Sequence, residues 1–209
     1  NGLERWLLNY LEMMRDEGVY EFNSVPYLRV TIHSLLNLDA FARSADVAAL
    51  SRYVLDTMNW QYALGSLDLR RFPPFRRRVE YANKTVLDAD PHTELMHVWT
   101  SVPYDSDRDA ASPRSGSRGS LIAELLPYRL PDAVRDWSLE KSRDYFVCFG
   151  RGRSACPEIY SGGPGYLLSA SGFHRGRRSL IVARPTTLLL SDGAHDLRDC
   201  FRLPGRGTW

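Results

Sequence analysis

Apolar residues recur at spacings of three and four in "LERWLLNYLEMMRDEG", where Leu3, Trp6, Leu7, Tyr10, Leu11 and Met14 make one stripe of an amphipathic helix. Gly18 suits the left-handed residue that closes such a helix. A second pattern runs from about Pro26 to Ala42 and directs Leu28, Ile32, Leu35, Leu36 and Phe41 inward. Ser24 is its expected cap, and Pro26 falls near the first turn, where a missing N–H costs nothing. A third helix is expected from a capping Asp46 to about Gly65, with Val47, Leu50, Val54, Met58 and Tyr62 buried. The join "RSAD" is short, so the second and third helices should pack antiparallel. Helices that follow one another this closely, each with one apolar face, suggest a layered helical array or toroid.

Between Leu67 and Tyr104 the texture changes. "RRFPPFRRRVEYAN" holds two adjacent prolines and five arginines, which predicts extended chain, and "PHTELMHVW" then predicts a short helix from Pro91. "DSDRDAASPRSGSRGS" is almost free of apolar residues and reads as a mobile surface loop near 105–120. Two shorter helices are expected around Leu121–Leu126 and Pro131–Lys141. From Tyr145 the period shortens: "YFVCFG", "EIY", "YLLSASG", "SLIVARP" and "TTLLLS" are β-prone runs divided by Gly, Pro and Asp, and "SGGPG" reads as a turn. Helices first and strands second give an α+β fold class. The expected domains are a helical region over 1–143 and the beginning of an antiparallel β domain over 144–209, with further strands beyond Trp209.

The chain has 209 residues, and its 27 basic against 25 acidic side chains leave a net charge of +2, too even to imply nucleic-acid binding by the whole molecule. Only Lys84 and Lys141 are lysines; a basic side built of arginine reflects either a GC-rich genome or anion recognition. No apolar run approaches the roughly 18–20 residues of a membrane span. The opening "NGLERW" and closing "LPGRGTW" read as the ends of an internal piece of a longer protein, so compartment stays open between secreted, periplasmic and other locations. Cys148 and Cys156 flank a turn-like "FGRGRSA" and would make either a hairpin disulfide, as in a secreted protein, or, with Cys200, buried free thiols. No CxxC or HxxxH pair calls for a metal, and no phosphate or dinucleotide motif calls for a cofactor.

Two stretches carry candidate chemistry. In "EFNSVPYLRVTIHSL", Glu21 and Asn23 precede a helix and Tyr27 lies in its first turn, although a cap needs one polar group only. A helix N-terminus attracts anions, an amide donates to a carboxylate, and a phenol exchanges a proton. Alternatively Asn23 and Ser24 cap the helix, Glu21 pairs with an arginine and Tyr27 packs. In "FPPFRRRVEYAN" an extended backbone puts Arg76, Arg78 and Glu80 on one face and Arg77, Val79 and Tyr81 on the other. Guanidinium forks suit carboxylate or sulfate, while a solvated charge run is the ordinary alternative. His33 fits a partly buried structural role, and His92, His97, His174 and His195 align with no common face.

Residues of "EFNSVPY", of "LLNLDAFARSADVAALSRYVLD", of the arginine–tyrosine segment and of "PEIYSGGPGYLLSASG" together resemble the heparinase II/III-like and alginate-lyase-like polysaccharide lyases. The resemblance implies an incomplete (α/α) toroid joined to an antiparallel β-sandwich, with an acidic polysaccharide or oligosaccharide in the cleft between them. It also implies β-elimination. Asn23 would neutralise the uronate carboxylate, Tyr27 or Tyr81 would transfer the proton, and Arg77 and Arg78, with Glu21 and Glu80, would line the binding site. The Asn-and-His pairing of that family has no clear counterpart in the sequence. Two other readings stand beside it: a non-catalytic helical scaffold that binds glycan or protein, and a glycoside hydrolase using Glu21 and Glu80.

Overall fold

The computed structural model describes residues 2–19, 22–73, 91–103, 118–150, 157–171, 186–192 and 200–203. Six helices come first: α1 (Gly2–Glu17), α2 (Val25–Phe41), α3 (Ala45–Leu64), α4 (Pro91–Thr100), α5 (Arg118–Leu125) and α6 (Asp132–Leu139). Five strands follow: β1 (Tyr145–Phe149), β2 (Glu158–Gly163), β3 (Tyr166–Ser171), β4 (Thr186–Leu190) and β5 (Phe201–Leu203). They form one antiparallel sheet in the order β1-β2-β3-β4-β5. The described residues are therefore α+β.

Helix α3 is the centre of the helical layer and packs against α1, α2 and α6. Its long neighbour α2 ends at Phe41, the chain turns through three residues, and Arg52 of α3 reaches back to Asp39 at 2.8 Å. That contact places the end of α2 beside the start of α3, the antiparallel pair expected from a short join. Leu28, Ile32, Leu35 and Leu36 of α2 meet Val47, Val54, Leu55, Met58 and Tyr62 of α3 in the main core, to which α4 adds Leu95 and Met96. A smaller core of Leu67, Phe72, Tyr160, Leu167 and Leu189 fills the space under the sheet.

Several expectations need correction. Phe41 is 70 % exposed rather than buried, because at 3.6 residues per turn it falls on the face of α2 opposite Leu28, Ile32, Leu35 and Leu36. On α1 only Leu11 is fully enclosed, whereas Leu3, Trp6 and Tyr10 face outward. The helix packs chiefly on α3, and one neighbour covers only a narrow part of so wide an apolar stripe. Ser44, not Asp46, occupies the N-cap position of α3. In "SGGPG" the first three residues belong to β2, and the turn is Pro164–Gly165. Glycine serves as a strand residue at Gly162 because a Cβ there would lie 2.6 Å from the Tyr145 hydroxyl on the neighbouring strand. Strand β5 lacked any sequence signal, being three residues long and exposed throughout. The expected loop at 105–120, the run "SLIVARP" and Cys156 lie outside the described residues.

Candidate functional site

Where the helical layer meets the sheet, five polar side chains from four places in the chain converge. Asn23 stands just before α2, Gln61 is in the last turn of α3, and Arg71 follows a tight turn in which Leu67 and Arg70 pair. Glu158 and Tyr160 alternate along β2 and so point to the same, inner face of the sheet. All but Gln61 are at most 3 % exposed.

Arg71 donates to the Asn23 side-chain oxygen. A guanidinium only donates, so this contact fixes which way the amide faces and leaves its N–H groups to the other side. There the Asn23 Nδ2 donates to the Tyr160 hydroxyl at 3.2 Å. The hydroxyl in turn donates to Glu158 Oε2 at 3.0 Å, and Gln61 Nε2 donates to the same oxygen at 2.7 Å. Arg71 also lies 5.4 Å from the Phe22 ring centre and 5.1 Å from that of Tyr62, within reach of a cation–π attraction. Burial first, and the nearby Glu158 charge second, push the Tyr160 phenol well above its ordinary pKa. It therefore stays protonated through the neutral range.

A second polar chain abuts the first. His92 packs its ring against Tyr62 and Phe22, with centroids 4.6 and 5.7 Å away. Its Nε2 lies 2.7 Å from Asn59 Oδ1 and, facing a carbonyl-type oxygen, donates to it. Asn59 Nδ2 donates to the Tyr128 hydroxyl at 2.8 Å, and that hydroxyl donates to Asp56 Oδ1 at 2.7 Å. Burial, reinforced by the Arg71 charge, holds the His92 imidazole well below its ordinary pKa. Burial also raises the Asp56 carboxyl and the Tyr128 phenol.

Of the residues singled out in the sequence, Asn23 is at the heart of this arrangement. It is no cap: Ser24 occupies the N-cap position of α2, and neither residue's side chain makes the capping bond. The Ser24 hydroxyl is enclosed and has no hydrogen-bond partner among the described residues. Tyr27 is 47 % exposed in the first turn of α2 and has no part in the hydrogen bonds around Asn23 described above. Glu21, Arg77, Arg78, Glu80 and Tyr81 lie outside the described residues, as do His174 and His195. His33 is half-buried, as a structural role requires, and burial lowers its pKa. Cys148 is a free thiol, and it is exposed rather than buried.

Sequence reasoning passed over Arg71, Gln61, Glu158 and Tyr160. Glu158 and Tyr160 stand two apart inside "PEIYSGGPG", and a glutamate on the buried face of a strand is a signal in itself. Gln61 and Arg71 carry none, since their role depends on the sheet lying against the end of α3. Comparison with protein-family models, with curated proteins and with solved structures finds no match to this chain.

Proposed function

We propose that this chain belongs to a carbohydrate-active protein that cleaves acidic, uronate-containing polysaccharide by β-elimination. The helical layer and the sheet would form parts of an (α/α) toroid and a β-sandwich. One observation carries the reading. At the N-terminus of α2, Arg71 turns the Asn23 amide so that its donors face the Tyr160 hydroxyl, beside a Ser24 hydroxyl that has no partner among the described residues. Amide, guanidinium, hydroxyl and helix end are together a set of donors suited to a carboxylate.

The chemistry follows from the charges. Removing the proton beside a uronate carboxylate builds negative charge on that carboxylate, and preorganised donors lower the barrier by stabilising it. Asn23 and Arg71 take this role. Tyr160, protonated at neutral pH, suits the general acid that protonates the departing glycosidic oxygen, and Glu158 fixes its orientation. Tyr27 and Tyr81 are the candidates for the base, and Glu21, Arg77, Arg78 and Glu80 for the remaining substrate contacts.

The test is release of unsaturated uronate, followed by its ultraviolet absorbance, from alginate, heparin-like and pectic polymers with the full-length protein. Tyr160→Phe should lower turnover by about 10²–10⁴-fold with little change in KM. No product from any uronate polymer, or full turnover by Tyr160→Phe, defeats the reading. A second reading has its own observation: Asn23, Arg71, Glu158 and Tyr160 are almost wholly enclosed. That favours a polar joint inside a non-catalytic scaffold, for which Tyr160→Phe would cost stability alone. A hydrolase using Glu21 and Glu80 rests on residues outside those described.

A further inference from the structure

An open cleft of about 360 Å³ lies between the end of α1, one face of α3 and the end of β1. Its size falls in the range of ordinary small-ligand sites, roughly 300–1,000 Å³. Tyr53, Thr57 and Gln61 descend one side of it at successive turns of α3, and Cys148 and Phe149 of the edge strand line the other. The lining is divided by chemistry. Tyr53 offers an exposed ring, Met58 and Phe149 supply apolar floor, and Thr57 and Gln61, which donate to the Tyr53 carbonyl and to Glu158, present oxygens as acceptors. A ligand with an apolar face and a rim of hydroxyls matches that division, and a sugar ring has both.

Charge narrows the class. Among the described residues, Arg15, Asp16 and Glu17 are the charged groups of the lining, and Arg15 is bound to Asp16 at 2.7 Å. One negative charge is left over. A uronate would meet a small repulsion there, whereas an uncharged ring would not. The cleft also communicates with the buried polar joint. Gln61 lines it and donates to Glu158, which accepts from Tyr160, while Phe149 packs edge-on against the Tyr160 ring at 6.1 Å.

We infer that this cleft is a binding subsite for a neutral hexose ring of a glycan. The inference rests on the carbohydrate reading above and makes its substrate a polymer of mixed neutral and uronate residues. Cys148, an exposed free thiol in the lining, provides a readout independent of any lyase activity. The full chain is treated with limiting iodoacetamide, and alkylation at the Cys148 peptide is followed by mass spectrometry. Neutral tetrasaccharides of glucose, mannose or galactose, and oligouronates of the same length, are added in turn. At least one neutral tetrasaccharide should slow Cys148 alkylation several-fold and saturably, oligouronates should not, and Tyr53→Ala should abolish the protection while leaving the circular dichroism unchanged. The inference is overturned if no neutral oligosaccharide protects, if oligouronates protect equally, or if protection survives Tyr53→Ala. Protection without unsaturated product would sink the lyase chemistry and leave the subsite standing; product without protection would do the reverse.

Discussion

A buried carboxamide is tolerated when both ends of its dipole are matched, and Asn23 has Arg71 on its oxygen and Tyr160 on its nitrogen. Asn23→Ala should therefore cost about 1.5–3 kcal/mol, the range for hydrogen bonds to charged groups, read as a fall in the urea midpoint at unchanged slope. His92 makes a separate prediction about pH. Its folded pKa lies well below the unfolded value near 6.5 because burial and the Arg71 charge disfavour the imidazolium. The unfolded chain then binds the extra proton first, so this contribution is intact above pH 6.5 and is lost as pH falls below it. The slope approaches about 1.4 kcal/mol per pH unit. His33 acts in the same direction but less strongly, being only half-buried. Urea titrations at successive pH values should show His92→Gln flattening this acid limb more than His33→Gln; equal effects would remove His92 as its main source.

At the scale of elements, hydrophobic period located the helices and strands β1 to β4 because each has a covered face, and period measures that face directly; β5, exposed throughout, gave no such signal. The period of α1 cannot report how much of its stripe a neighbour reaches. Leu3, Trp6 and Tyr10 lie within the same stripe as Leu11, yet Leu11 alone is enclosed. The consequence is measurable. Leu11→Ala should cost about 2–5 kcal/mol as a core truncation, and Leu3→Ala should stay within about 0.5 kcal/mol. Equal losses would mean that α1 is covered on both sides. Phe41 failed to bury for a simpler reason: at 3.6 residues per turn it falls on the face of α2 opposite Leu28, Ile32, Leu35 and Leu36, while its neighbours Leu38 and Ala42 pack on the core. The end of α3 shows the converse case: Gly65 is open to a Cβ only at 3.0 Å from the Tyr160 ring and 3.1 Å from the Gln61 carbonyl. A glycine that reads in the sequence as a helix stop also makes room for a residue of the sheet.

The whole molecule is held together across a join that no local pattern encodes. "EFNSVPY" showed more polar groups than a cap requires, and one of them, Asn23, bonds Arg71 and Tyr160 instead of capping. Its partner Tyr160 is 137 positions away and became visible only once β2 lay against the N-terminus of α2. Arg71 was hidden for a similar reason, as one arginine among five in its stretch. If the Asn23–Tyr160 bond fastens helices to sheet, the two residues must be energetically coupled, and a double-mutant cycle measures that directly. Asn23→Ala removes both the donor to Tyr160 and the acceptor for Arg71, while Tyr160→Phe keeps the ring and deletes the hydroxyl. The summed single losses should exceed the loss in the double variant by about 0.5–3 kcal/mol, the range for residues in one hydrogen-bonded network. The paired control is Asn59→Ala with Tyr160→Phe, because Asn59 belongs to the chain of His92, Tyr128 and Asp56. That pair should add to within about 0.5 kcal/mol. A null coupling at Asn23 with Tyr160 would show that packing in the cores, not this hydrogen bond, holds the sheet in place, and would weaken the scaffold reading along with it.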